Sequence, residues 1–287
     1  MSVATGAGAV SPRRRGPAAG VVRWTRGVVY YLPAILVFVA TLVVWELVVS
    51  GLQLRAFILP TPSAIAEAFV TNWEGGDPRF PIAAAARTTI FEALGGLAIG
   101  TTAGIAVAFA TTRWATARDL LLPVAVAANA IPIIAFSPLM NAWFGLASPL
   151  SKMMMAAVLV FFPVMANVTR GLVQVEPAAI ELMRSMAASE WTILRKVRIP
   201  NALPYFFTAL KLATTLSLIG AIVAEYFGSA NRVLGRLIID SAAGLRFEIT
   251  WAAILVGAIA GIVSYLVIVI LERIFIPWHS SVRSTEP

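Results

Sequence analysis

Hydrophobic positions in this chain gather into long unbroken runs rather than alternating with polar ones at a strand or helix period. A bilayer core takes about 20 apolar residues per helix. Runs of that length occupy 28–49, 89–112, 120–145, 149–169, 204–227 and 249–271. The expected fold class is therefore an all-α membrane protein with six transmembrane helices, its membrane domain covering 28–272. Residues 1–27 are rich in Gly, Ala and Arg and offer little to bury, so a disordered basic tail is expected there. Residues 273–287 form a second tail. The stretch 233–245 contains two charges and is too short to span, which suits an interfacial or re-entrant helix.

Composition narrows the picture. The chain is 59% hydrophobic and 13% charged, against about 45–50% and about 25% in soluble domains. Disorder, a coiled coil and an ordinary soluble enzyme are excluded as readings of the whole chain. Cysteine is absent and His279 is the single histidine. A disulfide framework, a thiol nucleophile and a Cys- or His-clustered metal site go with them. The net charge of +8 reads as topology and contact with anionic lipid rather than nucleic acid. Arg13, Arg14, Arg15, Arg23 and Arg26, then Arg113 and Arg118, the cations from Arg170 to Arg198, and Arg273 and Arg283 all fall on one side of a six-span layout. They outnumber the opposite set two to one, which places both termini in the cytoplasm. An N-terminal export signal is the alternative for the first run, but that run is too long and lacks a small-residue cleavage site.

Charges inside or near the spans are Glu46, Glu92, Lys152, Lys211 and Glu225. By sequence spacing none pairs with another. They read as end anchors and interhelical hydrogen-bonding groups, with Lys211 snorkelling toward the cytoplasmic face. The third run differs, because Asn129, Pro132 and Ser137 place helix breakers and polar groups at membrane depth. Both a translocation pathway and a simple proline kink fit that pattern. Small residues recur every fourth position at Gly96, Gly100, Gly104 and Ala108, and again at Ala253, Gly257 and Gly261, which favours close packing of helices within the chain. No GxxxxGK[ST] loop occurs, so ATP is not bound here in that manner.

The loop 171–203 carries the richest local signals. Ile180, Met183, Ala187, Trp191, Leu194 and Val197 fall on one face of a helical segment. Pro177 suits a helix's first turn, Ser189 with Glu190 suits a second helix start, and Pro200 follows the basic cluster Arg195, Lys196 and Arg198 as a stop. An amphipathic helix on the inner leaflet and a docking element for a soluble partner both remain open.

The run from Glu181 through Arg184 to Ala187, then nine residues, then Val197, Arg198, Ile199 and Pro200, resembles the EAA-x3-G-x9-I-x-L-P loop of ABC importer permeases. Leu182 and Met183 replace Ala-Ala, Ala187 replaces the Gly, and Val197 and Ile199 replace Ile and Leu. Leu59-Pro-Thr-Pro-Ser63, Ile131-Pro132, Ser137-Pro-Leu139, Trp143-Phe-Gly145, Phe161-Phe-Pro163 and Ala224-Glu225 are similar to the nitrate, sulfonate and taurine branch. Some members of that branch serve pyrimidine precursors of thiamine. The resemblance implies a type I importer permease with a cytoplasmic coupling loop between the fourth and fifth spans. That loop would carry Glu181, Arg184, Ala187, Ser189, Val197, Ile199 and Pro200. It also implies two ATPase subunits that bind the ATP and Mg, a second permease copy, an external solute-binding protein and a bacterial inner membrane. A stand-alone secondary transporter or channel is the alternative. An intramembrane enzyme fits worst, since Ser217, Ser264 and Tyr265 have no base beside them by spacing.

Overall fold

The computed structural model describes residues 18–74, 77–114, 132–229 and 232–277, leaving aside the side chains of 18–31, 113 and 133. It is helical throughout the described elements. Among the described residues, five segments are long and apolar enough to cross a bilayer: Leu32–Gly51, Ile82–Thr112, Pro149–Val173, Glu190–Tyr226 and Phe247–Phe275. They correspond to five of the six predicted runs. Most of the third run lies outside the described residues, Asn129 with it.

Two units divide the chain near Leu54. The first contains α1 (Ala18–Gly51), a single apolar helix whose C-terminal turn closes with Gln53 in the left-handed region. The second unit holds the rest. It begins with α2 (Pro62–Asn72), whose N-cap Thr61 accepts the Ala64 N–H at 3.2 Å. At 11 residues this helix is too short to span a bilayer, and Thr-Pro at its start is an N-terminal signature.

The packing centre of the second unit is α3 (Ile82–Arg113) lying along α5 (Pro149–Val173), with α8 (Ile199–Tyr226) against both. Their shared core contains Ala108, Val160, Val164, Val168, Leu172, Ala202, Ala209 and Ala213. Lipid supplies no hydrophobic drive between helices, so close backbone approach through small residues does the work. At Gly96 an added Cβ would lie 2.4 Å from the Ala156 Cβ, and at Gly100 2.5 Å from the Ala157 carbonyl. The first small-residue stripe thus packs within the chain. The second behaves differently. Gly257 and Gly261 meet only side-chain tips, at 3.4 and 3.5 Å, and line an apolar groove of about 500 Å³ between α8 and α10 (Phe247–Phe275). The stretch 233–245 folds as α9 (Leu234–Ala243), packed on α8 and α10.

Before α5, the described end of the third run is broken. Pro132 precedes a 3₁₀ turn, Ile133–Phe136, and α4 (Ser137–Phe144) follows with Pro138 in its first turn. Pro132 is exposed. Ser137 is buried, and its hydroxyl has no hydrogen-bond partner among the described residues.

Candidate functional site: the elbow and the intramembrane charges

Between α5 and α8 the chain makes an elbow of two short helices, α6 (Pro177–Ser185) and α7 (Glu190–Ile193). Pro177 occupies the first turn of α6, where its missing N–H leaves nothing unsatisfied. Ser189 caps α7, its hydroxyl accepting the Thr192 N–H at 3.3 Å. Between the helices, Ala188 N–H donates to the Met183 carbonyl at 3.0 Å and Ala187 N–H to that of Arg184 at 2.9 Å. This is the Schellman arrangement, and it places Ala187 at φ 54°. The position where the resemblance expects Gly is thus left-handed, and an alanine occupies it.

Three expectations for this loop change. The apolar face counted from Ile180 to Val197 is not one helix, because the turn at Ala187 breaks it. Ile193 is buried while Trp191 points out. Pro200 does not stop a helix. It lies in the first turn of α8, reached through a five-residue π turn, Leu194–Arg198. The same missing N–H that ends a helix is harmless at its start.

Asn201, unremarked in the sequence, clamps the base of the elbow. Its side-chain amide donates to the carbonyls of Gly171 at 2.7 Å and Gln174 at 3.0 Å. Gly171 in turn lies so close to α8 that an added Cβ would be 2.7 Å from the Ala202 Cα. The foot of the elbow is therefore fixed to two spans. Its tip is bare: Leu182, Met186 and Trp191 are 62–70% exposed. Arg184 and Glu190 pair across the two helices at 3.3 Å, while Glu181 stands exposed beside them. Val197, Ile199 and Pro200 are half-buried where the elbow rejoins α8. The elbow is thus fixed at its base, with apolar and charged groups exposed at its tip.

The intramembrane charges make interhelical polar contacts, including a pair that sequence spacing does not show. Lys211 pairs with Glu272 of α10 at 2.5 Å. Glu92, Lys152 and Glu225 are buried together at the end of the helices opposite the elbow. The Lys152 ammonium donates to Asn141 Oδ1 at 3.3 Å and to the Leu146 carbonyl. Glu225 Oε2 accepts the Gly235 N–H at 2.6 Å. Such meetings join residues far apart in the chain, and no local pattern announces them.

A family model for the binding-protein-dependent transport system inner membrane component matches residues 96–280. A probable ABC transporter permease protein of Haemophilus influenzae is 30% identical over 229 residues, covering 78% of this chain and 89% of its own length. The formylaminopyrimidine transport permease protein ThiX of Halalkalibacterium halodurans is 29% identical, covering 85% and 94%. The taurine transport system permease protein TauC of Escherichia coli is also 29% identical, covering 84% and 88%. This chain belongs to the binding-protein-dependent inner membrane permeases of ABC importers, a multi-pass membrane component and not itself a catalytic one.

Proposed function

We propose that the chain is the permease subunit of an ATP-driven importer, and that its elbow is the element an ATPase subunit grips. The observation that carries this reading is the pairing of a fixed foot, at Asn201 and Gly171, with a tip that presents Glu181, Leu182, Arg184, Met186 and Trp191 to solvent. Two ATPase subunits bind the ATP and Mg and close on the elbows of two permease copies. Each elbow moves with α5 and α8, to which it is clamped, and the spans tilt to expose a central path first to one side and then to the other. A solute-binding protein delivers the cargo from outside. The cargo class is a small sulfonate, nitrate, taurine or pyrimidine precursor; relatives are named for the transport of sulfonates, taurine and a formylaminopyrimidine. The membrane is the bacterial inner membrane, with both termini and the elbow on its cytoplasmic side, as the two-to-one bias of cations supports.

The test uses the reconstituted complex. Charge reversal at Glu181 or Arg184, or a bulky residue at Ala187, leaves the permease inserted while ATP hydrolysis no longer drives uptake. Normal uptake in all three variants refutes the assignment. One observation favours the second reading, a carrier working alone: the buried cluster at Glu92, Lys152 and Glu225. Uptake by the purified chain with no ATPase present would establish that reading instead.

A further inference from the structure

Where α3 ends and the elbow rejoins α8, two hollows meet at one side chain, Phe109. The first, of about 410 Å³, is lined by Phe109 and Thr112 of α3, Glu190 and Trp191 of α7, and Leu194 and Arg198 of the π turn. The second, of about 200 Å³, lies between α3, α5 and α8. Phe109 lines it too, with Ile105, Leu172, Leu203 and Phe206 among its walls, and every side chain around it is apolar. Thr112 is the last residue of the apolar segment Ile82–Thr112, so the junction of the two hollows lies at the edge of the bilayer's hydrocarbon. Trp191 and Trp114, 68% and 60% exposed, stand at this boundary, the level that tryptophan favours in a membrane.

An apolar hollow beside lipid selects nothing by itself, since any acyl chain fills it. Selection comes from the charge in the first hollow. Arg198 lines it half-buried, and Arg195 and Lys196 stand exposed on the same turn. None of the three has an acidic partner among the described residues. Glu190, the one acid among the lining residues, is engaged by Arg184 at 3.3 Å. Thr112 donates its hydroxyl proton to the Phe109 carbonyl at 2.6 Å. The Arg198 guanidinium is therefore the donor left for a ligand, and its planar fork suits a phosphate. A cation beside an apolar cleft matches an amphiphile with an anionic head and a hydrocarbon tail. A peptide would have to press its backbone polar groups against apolar walls.

We propose that the two hollows together seat one anionic phospholipid from the leaflet on the elbow's side. Its phosphate lies on Arg198, its glycerol region beside Trp191, and one acyl chain runs past Phe109 among Ile105, Leu203 and Phe206. The bound lipid thereby joins α3, α5 and α8 to the short helix α7. The site depends on the membrane boundary and not on an ATPase or a cargo, so it stands or falls apart from the proposed function.

Native mass spectrometry of the delipidated full chain tests it, with phosphatidylglycerol or phosphatidylcholine of identical acyl chains as the probe and no ATPase present. Wild type takes its first phosphatidylglycerol about fivefold more tightly than its first phosphatidylcholine, the preference that one cation near a membrane surface supplies. Arg198→Gln brings the two lipids within about twofold. Its affinity for phosphatidylcholine stays that of wild type, which shows the chain still folded. Arg87→Gln, near the opposite end of α3, keeps the preference. Leu203→Trp fills the apolar hollow and weakens both lipids about threefold or more. Millimolar glycerol phosphate leaves the bound lipid in place. A wild type without preference overturns the proposal, as does a preference that survives Arg198→Gln or is lost equally in Arg87→Gln. Lipid binding untouched by Leu203→Trp overturns it too, and so does displacement by glycerol phosphate, which would make this a site for free phosphate esters.

Discussion

Arg184 and Glu190 pair at 3.3 Å with more than half of each side chain in solvent, whereas Lys211 and Glu272 pair at 2.5 Å with 22% and 10% exposed. Both are cation–carboxylate contacts, yet physically they are different objects. In the elbow each ion is already solvated, so the pair adds little and leaving it costs little. Between α8 and α10 each ion has surrendered water, and only its partner makes the position tolerable. The difference explains why charges on the elbow are free to exchange partners. The spans can carry them only as matched sets.

Breaking a buried pair gives the largest effect. Lys211→Met strands Glu272 and is expected to destabilise the folded chain by about 3 kcal/mol, whereas Lys211→Met with Glu272→Leu stays within about 1 kcal/mol of wild type. Reversible unfolding in mixed micelles measures both. A single variant as stable as the double one would erase the contrast between the two regions.

Backbone strain comes next. Ala187 holds φ 54° at the turn between α6 and α7, a conformation that costs a residue with a Cβ about 1 kcal/mol. Ala187→Gly should therefore stabilise the elbow by about 0.5–1 kcal/mol, read as slower amide exchange at Ala187 and Ala188, whose N–H groups close the turn. Arg184→Ala should change stability by less, about 0.2–0.5 kcal/mol. Its consequence for uptake under the proposed function would far exceed that figure, and this separates recognition from folding.

The two regions also differ in how far the sequence reveals them. Pro177 and Ser189 act within their own turn, so the starts of α6 and α7 were legible from local chemistry. The spans were legible because a 20-residue apolar run is itself local. Pro200 was misread because the same ring that ends one helix begins another, and the choice rests on the π turn at Leu194–Arg198. Glu92, Lys152 and Glu225 meet only after α3, α5 and α8 have packed, and Lys211 finds Glu272 only once α10 lies on α8. Asn201 and Asn141 carry no local signal for the same reason, since their partners, backbone carbonyls and for Asn141 also the Lys152 ammonium, lie elsewhere in the chain.

The smallest expected effect belongs to a half-buried acid that its neighbours tune. Asp77 accepts the Arg79 N–H at 3.0 Å and pairs with the Arg79 guanidinium at 2.5 Å, with Arg246 farther off at 3.7 Å. Arg79, through its side chain first and its backbone second, holds the Asp77 carboxyl at about 2, below the usual 3.8. The folded form is the stronger acid, so its contribution is fully present above pH 3.8 and disappears as pH falls through about 2. Protection of the Arg79 amide should therefore persist through pH 4 and fall away toward pH 2. Asp77→Asn keeps an acceptor without the charge, so its protection should be lower and flat across that interval. Asp77→Ala should lose the protection at every pH. A wild-type amide indifferent to acid would mean that this pair, like the Arg184–Glu190 pair, contributes little to holding its own corner in place.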